Sequence, residues 1–187
     1  MLWLTLGVLS WSLVHLSRCL VPDWRRYAIS KVGENTYKGL FALCILVSVA
    51  LMVIGWRSSL PIGLYVPARG MSHLAALLLL VAFILMAASS LPTNIKRFVR
   101  HPQLSAVILW AVAHLMANGD QRALIQFGVI GLWAVVEILL INRRDGRWNK
   151  SGRVAIKWDV ICVMAGTALY LIFVMFLHQW LFAVRPF

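Results

Sequence analysis

Residues 71–91 read MSHLAALLLLVAFILMAASSL and contain no Asp, Glu, Lys or Arg. A helix needs about 20 consecutive apolar residues to cross the hydrocarbon core of a bilayer, and this stretch has that length. The chain has 187 residues, of which 61% are hydrophobic and 13% charged, whereas soluble domains are about 45–50% apolar and about 25% charged. The stretch and the composition together predict an integral membrane protein.

Apolar segments of this kind recur along the chain. They are residues 2–20, 37–56, 71–91, 104–117, 124–141 and 160–182. The connections are too short to hold a folded domain outside the membrane. We therefore predict an all-α, polytopic bundle of about six transmembrane helices that forms a single integral-membrane domain over residues 1–187. Residues 1–20 lack a basic start and a small-residue cleavage site, which indicates a retained span rather than a signal peptide.

The formal net charge of +12 is unevenly distributed. Basic residues concentrate in or beside the connections after spans one, three and five, namely Arg18, Arg25, Arg26, Lys31, Lys38, Lys96, Arg97, Arg100, Arg143, Arg144, Arg147, Lys150, Arg153 and Lys157. By the positive-inside rule these connections face the cytoplasm and both termini face the other side. The charge thus indicates topology and no role with nucleic acid. An anion or lipid-headgroup site among the arginines is the less favoured alternative.

Three ionisable residues lie inside the predicted spans, where such groups need a partner, a cavity or a cofactor. They are His15, His114 and Glu137, while His73, His101 and His178 lie nearer the span ends. A lone intramembrane histidine can simply hydrogen-bond across helices. Glu137 has a depth similar to that of His15, so the two could pair as a buried contact or, less favoured, handle protons.

Two intramembrane histidines favour a second reading, because neutral imidazoles from two helices are the usual axial ligands of b-type haem. The chain has no C-x-x-C-H motif for covalent haem attachment and no C-x-x-C pair among Cys19, Cys44 and Cys162. At 1.5 Å per residue, His15 lies about 10 Å and His114 about 20 Å from the cytoplasmic side. His73 and His178 are closer in depth to His114. We therefore expect His114 to bind iron and leave its trans ligand open.

Several motifs together resemble the NnrU family of membrane proteins. They are HLSRCLVPDWR (15–25), VGENTYKGLF (32–41), IKRFVRHPQL (95–104), LWAVAHLMANGD (109–120), RRDGRW (143–148) and LHQWLFAVRPF (177–187). They occur in order over nearly the whole chain.

The resemblance implies a multi-pass protein of the bacterial inner membrane, associated with nitrite and nitric oxide metabolism in denitrifiers. Related plant zeta-carotene isomerases are membrane haem proteins that convert a cis double bond of a carotene to trans. Their two critical histidines match His15 and His114. Their cysteine three residues before the second histidine is replaced by Ala111, so a histidine/cysteine ligand switch is not expected here. The implied function is haem-dependent redox or isomerase-like chemistry on an apolar, membrane-dissolved polyene, with catalytic residues unassigned.

Two alternatives remain open. The R-H-P-Q sequence at residues 100–103 also resembles membrane methyltransferases that use S-adenosylmethionine, in which Arg100, His101 and Glu137 would hold the cofactor. The paired downstream glutamates of those enzymes are missing. The third hypothesis is a non-enzymatic partner that assembles or regulates nitrite and nitric oxide reductases, with structural histidines.

Overall fold

The computed structural model describes residues 1–182, and these form helices joined by short connections. The helices are α1 (Leu2–Leu20), α2 (Pro22–Val32), α3 (Glu34–Ser58), α4 (Met71–Ser90), α5 (Pro102–Ala117), α6 (Gln121–Asp145), α7 (Lys157–Ile172) and α8 (His178–Phe182). A 3₁₀ turn over Asn94–Arg97 precedes α5, and a π-helical turn over Phe173–Leu177 joins α7 to α8. No strand forms within residues 1–182, which confirms the all-α class.

Four helical segments are long and apolar enough to cross a membrane: α3, α4, α6 and the continuous segment Lys157–Trp180. The pair α1 and α2 would add a fifth crossing, although its axis bends by 95°. The remaining helix, α5, is apolar but has only 16 residues. Membrane-type helices are thus confirmed, while the number of six crossings and the side of the termini stay predictions.

The outward faces of these helices are apolar. Leu46 on α3, Leu132 on α6 and Met164 on α7 are each about two-thirds exposed, at 66%, 63% and 66%. In water such surfaces would drive aggregation, whereas lipid tails solvate them without penalty. This pattern is compatible with a lipid bilayer around the protein.

The connection after the first predicted span contains a helix, α2, that the hydropathy pattern did not indicate. Its sequence is PDWRRYAISKV, and none of its residues is buried. Pro22 stands in its first turn, where proline is favoured, and Gly33 follows its last residue with φ of 82°. A helix this polar gives no apolar run, but its end signals are present in the sequence.

By their internal contacts the described residues divide into two compact units. The prediction of a single integral-membrane domain stays a prediction.

The first unit comprises Met1–Val66 and Asn118–Gly146, and therefore α1, α2, α3 and α6. Its α1 and α3 pack closely because glycines face the partner backbone. A Cβ atom at Gly55 would lie 2.1 Å from the Leu4 nitrogen, and one at Gly7 would lie 2.7 Å from the Met52 nitrogen.

Within the first unit, the connection after α3 is hydrogen-bonded to the segment that precedes α6. The backbone N–H groups of Leu64 and Tyr65 donate to the Gly119 carbonyl, and that of Gln121 donates to the Ile62 carbonyl. The Asp120 side chain accepts from the backbone N–H groups of Arg122 and Ala123 and thereby caps α6. These contacts fix where α6 begins.

The second unit comprises Pro67–Ala117 and, among the described residues, 147–182, and therefore α4, α5, α7 and α8. Small residues again allow close packing: Ala82 and Ala106 are buried together, and a Cβ atom at Gly166 would lie 2.5 Å from the Ile84 Cα. The Asp159 carboxylate accepts hydrogen bonds from the Thr93 hydroxyl at 2.6 Å and the Asn94 side-chain amide at 2.7 Å. This network ties the connection before α5 to the start of α7.

Candidate functional site

His15 lies on α1 in the first unit, enclosed by aromatic rings. Its ring centroid is 4.1 Å from that of Trp11, 5.2 Å from Trp133 on α6 and 5.6 Å from Phe41 on α3. The Nδ1 atom is 2.9 Å from the Trp11 carbonyl oxygen, one turn earlier. Aromatic rings from three helices of the first unit, α1, α3 and α6, therefore contact the imidazole.

His114 lies on α5 in the second unit and repeats this local arrangement. Its Nδ1 atom is 2.8 Å from the Trp110 carbonyl oxygen, and the two ring centroids are 4.9 Å apart. The neighbouring residues Ala111 and Ala113 are buried, at 2% and 0% exposure. Ala111 and Ala113 are therefore tightly packed positions on either side of Val112.

The hydrogen bond to a carbonyl determines the tautomer of both histidines. A carbonyl oxygen can only accept, so Nδ1 must carry the proton, and in a neutral imidazole Nε2 then holds the lone pair. Histidines that bind metal usually donate their other ring N–H in this way, which orients the ring and raises its basicity. His15 and His114 thus share the chemical state of a metal-ligating imidazole.

The sequence signal for this arrangement is W-x-x-x-H, which occurs at Trp11–His15 and at Trp110–His114. Helical periodicity places Trp110 one turn before His114 and Trp11 one turn before His15. The repeated spacing is therefore visible in the sequence, although the pairing of Trp11 with His15 was not predicted. Phe41 and Trp133 were also missed, because their approach to His15 depends on tertiary packing.

A polar group adjoins His15 in the first unit. The Cys19 thiol donates to Glu137 Oε1 at 3.3 Å, and Glu137 lies within electrostatic reach of His15. The similar depth expected for His15 and Glu137 agrees with this placement, but the hydrogen bond to the carboxylate comes from Cys19. Glu137 is 8% exposed, and neither its Oε2 atom nor Trp133 Nε1 has a hydrogen-bond partner within residues 1–182.

The other candidate histidines have different surroundings. His73 is exposed in the first turn of α4. His178 begins α8, with its ring 6.1 Å from that of Phe173, and lies within electrostatic reach of His114. The His101 carbonyl accepts from the Ser105 N–H at the start of α5. Arg100 and His101 belong to the second unit and Glu137 to the first.

The side chains that could bind a metal limit which metal cofactor the protein can hold, because such cofactors differ in the number of protein ligands that they need. Within residues 1–182, no group of three or more His, Cys, Asp or Glu side chains could hold a metal ion. Haem iron needs one or two axial ligands from the protein, and imidazole is a common one. Two features of these residues are compatible with haem. His15 and His114 share the tautomer in which Nε2 carries the lone pair that can bind iron, and apolar rings lie beside both imidazoles.

Comparison with the curated proteins and with the solved structures finds no match to this chain. The family model described as NnrU protein matches residues 3–186, which is nearly the whole chain, and the chain therefore belongs to the NnrU family.

Proposed function

We propose that this NnrU-family protein binds b-type haem in the membrane, and that the imidazoles of His114 and His15 are the groups that would hold its iron. The observation that carries the proposal is the shared arrangement of the two imidazoles. In each, the Trp carbonyl one turn earlier holds the proton on Nδ1, which directs the Nε2 lone pair to a metal. His178 is the alternative partner for His114, because it lies within electrostatic reach of that histidine.

The protein residues supply binding and exclusion of water. Trp11, Phe41 and Trp133 place apolar rings around His15, which exclude water from the imidazole. When bound, haem would supply one-electron chemistry and, when reduced, electron density to an apolar polyene. We propose that the protein acts in the bacterial inner membrane, either by redox or cis–trans isomerase-like chemistry on such a substrate or by supporting nitrite and nitric oxide respiration.

The proposed topology has six crossings, with both termini on the non-cytoplasmic side. Hydrogen bonds between the connection after α3 and the segment before α6 support a topology in which both lie on the same side of the membrane. Since α4 is long enough to cross, the connection before α5 would lie on the opposite side, and α5 must then cross back. At 1.5 Å per residue its 16 residues span about 24 Å, which a locally thinned bilayer accommodates.

The haem proposal is tested by alanine variants of single histidines in the purified, full-length protein. We expect His114→Ala to lose most of the bound haem and His15→Ala to lose haem or to change its ligation, with added imidazole restoring part of the spectrum. His73→Ala is the matched control, because this histidine is exposed at the start of α4, and it should retain the wild-type haem-to-protein ratio. Retention of full haem content in both His15→Ala and His114→Ala would contradict the assignment.

The substrate proposal needs a separate assay. The haem-loaded protein, reduced with dithionite, is incubated with a polyene that contains a cis double bond, in detergent, and the isomers are separated by chromatography. We expect faster conversion to the trans isomer than with His114→Ala. Equal rates with both proteins would reject the isomerase-like reaction while leaving haem binding intact.

A further inference from the structure

The junction of α1 and α2, which we call the elbow, places charged residues beside an apolar helix. The two helix axes differ by 95°, and four residues of α2 are charged: Asp23, Arg25, Arg26 and Lys31. Such a helix is strongly disfavoured in hydrocarbon. Its exposed Trp24 and Tyr27 belong to the residue types that anchor at the membrane interface. The elbow therefore lies at the level of the lipid headgroups.

Three cations near the elbow form ion pairs with carboxylates. Arg26 is paired with Asp23, Lys38 with Glu34 at 2.8 Å, and Arg144 with Asp145 at 2.7 Å. Arg18 and Arg25, on opposite sides of the elbow, have no carboxylate within salt-bridge distance among residues 1–182. No ion pair within the described part of the chain therefore holds these two guanidinium groups.

Aromatic rings of α3 support these two arginines. The Arg18 guanidinium carbon lies 5.9 Å from the Phe41 ring centroid, and that of Arg25 lies 5.8 Å from the Tyr37 centroid. Tyr37 and Phe41 are one turn apart, with centroids separated by 6.5 Å. Arg25 Nε is buried without an acceptor among the described residues. A buried donor normally has a partner, and a guanidinium matches phosphate oxygens well.

An apolar groove is lined by residues of α1 and α3. It has a volume of about 320 Å³ and is lined by Val14, Leu43, Val47 and Leu51 among others. Val14 lies one turn before Arg18 on the same face of α1. A ligand with a phosphate at Arg18 and an aliphatic chain in the groove would contact both.

We propose that Arg18 and Arg25 bind the phosphate of an anionic phospholipid, with one acyl chain of the same lipid in the groove between α1 and α3. The groove favours a lipid over free phosphate, since phosphate alone leaves the apolar walls without a partner. Lipid binding at this site does not require haem, so its test is independent of the test of the proposed function.

The test is titration of the full-length, detergent-purified protein with dioleoylphosphatidylglycerol and dioleoylphosphatidylcholine, followed by native mass spectrometry. We expect phosphatidylglycerol to bind at least tenfold more tightly, since each cation near an anionic headgroup contributes roughly fivefold. Arg18→Gln/Arg25→Gln should reduce its affinity to that of phosphatidylcholine. The matched control is Arg147→Gln/Lys150→Gln, which removes two cations from the connection after α6, one of them over the Trp148 ring. It should change the affinity less than twofold.

Further binding experiments distinguish a phospholipid from free phosphate as the ligand. Val14→Trp should fill the groove and weaken phosphatidylglycerol binding while both arginines remain, and millimolar inorganic phosphate should not displace the lipid. Equal affinity for the two lipids, an unchanged affinity in the arginine double variant, or ready displacement by phosphate would overturn the proposal. If the double variant does not fold, the wild-type affinity for phosphatidylglycerol must fall steeply between low and high salt. A salt-independent affinity would likewise overturn it.

Discussion

The chemical state of single residues carries the functional argument. His15 and His114 occupy different helices and units, yet each has its Nδ1 atom within 2.9 Å of the carbonyl of a tryptophan one turn earlier. A backbone carbonyl is an invariant partner, since substitution of the tryptophan side chain leaves it in place. The tautomer therefore follows from the helix geometry and does not depend on any other side chain.

Asp120 is a residue whose contribution to stability can be measured directly. Its side chain caps α6 and contacts Arg122 at 3.4 Å. We expect Asp120→Ala to lower the free energy of unfolding by about 1–2 kcal/mol, because the first N–H groups of α6 lose their acceptor. The exposed Asp23, which contacts Arg26, is the control: Asp23→Ala should cost less than about 1 kcal/mol. Thermal unfolding in detergent measures both, and equal losses would contradict the cap.

The same residue predicts a pH dependence. Burial alone would raise the pKa of the Asp120 carboxyl, but hydrogen bonds from Arg122 and the Ala123 backbone hold the pKa below its ordinary value. A carboxyl with a lowered pKa in the folded state adds stability above its unfolded pKa of about 4, and this is lost as pH falls through the lowered value. Wild type should therefore lose more stability than Asp120→Asn in that acid range. Parallel curves for the two proteins would refute this.

How far the sequence predicts the site depends on the range of the contact. The two histidines and the turn between Trp110 and His114 follow from composition and helical spacing, because partners one turn apart are local. The rings of Phe41 and Trp133 beside His15, and the bond from Cys19 to Glu137, join separate helices. Hydropathy gives the depth of such residues but not which helix faces meet, so these contacts could not be predicted.

At the level of elements, close helix packing in the first unit rests on glycine. Gly55→Ala would place a methyl group 2.1 Å from the Leu4 nitrogen, so α1 and α3 must separate. We expect a loss of about 1–3 kcal/mol, as for other overpacked interiors. The control is Gly39→Ala on the same helix, where nothing lies within 4 Å of the added carbon. It should stabilise slightly, because alanine favours helix over glycine.

Thermal unfolding of the two glycine variants in the same detergent provides the comparison. A Gly55→Ala protein as stable as Gly39→Ala would show that α1 and α3 do not approach as closely as the structure has them.

Helices with long apolar runs were predictable, and those without were not. The segments at 37–56, 71–91, 124–141 and 160–182 all correspond to helices with membrane-spanning character, and α3 and α6 extend beyond the apolar run at both ends. For example, α6 continues to Asp145 because the polar residues at its end remain good helix formers outside hydrocarbon. By contrast α2 has no apolar run, so only its proline and glycine boundaries could have indicated it.

At the level of the whole molecule, the sequence predicts a membrane-embedded helical protein but not its division into two compact units. Each unit combines segments distant in sequence: α6 joins α1 and α3, whereas α7 joins α4. Apolar surfaces facing lipid and apolar surfaces facing protein have the same composition, so hydropathy does not distinguish them. Small residues such as Gly55 and Gly166 are the sequence signal for the protein-facing side.

The orientation of the chain is predicted from charge and is open to test. We expect alkaline phosphatase fused after Ser59 or at the C-terminus to be active, and fused after Gly146 to be inactive, because the fourteen clustered basic residues retain their connections in the cytoplasm. A cytoplasmic reporter at the same positions should give the opposite pattern. Cytoplasmic activity at the C-terminus would contradict the six-crossing topology.

Haem ligation by His15 and His114 is the central claim, and the spectrum of the detergent-purified, full-length protein produced with ample haem tests it most directly. We predict a Soret band, α and β bands that sharpen on reduction with dithionite, and a low-spin ferric electron paramagnetic resonance signal of imidazole ligation that His114→Ala abolishes. A colourless protein, or a haem spectrum identical in wild type and His114→Ala, would contradict the account.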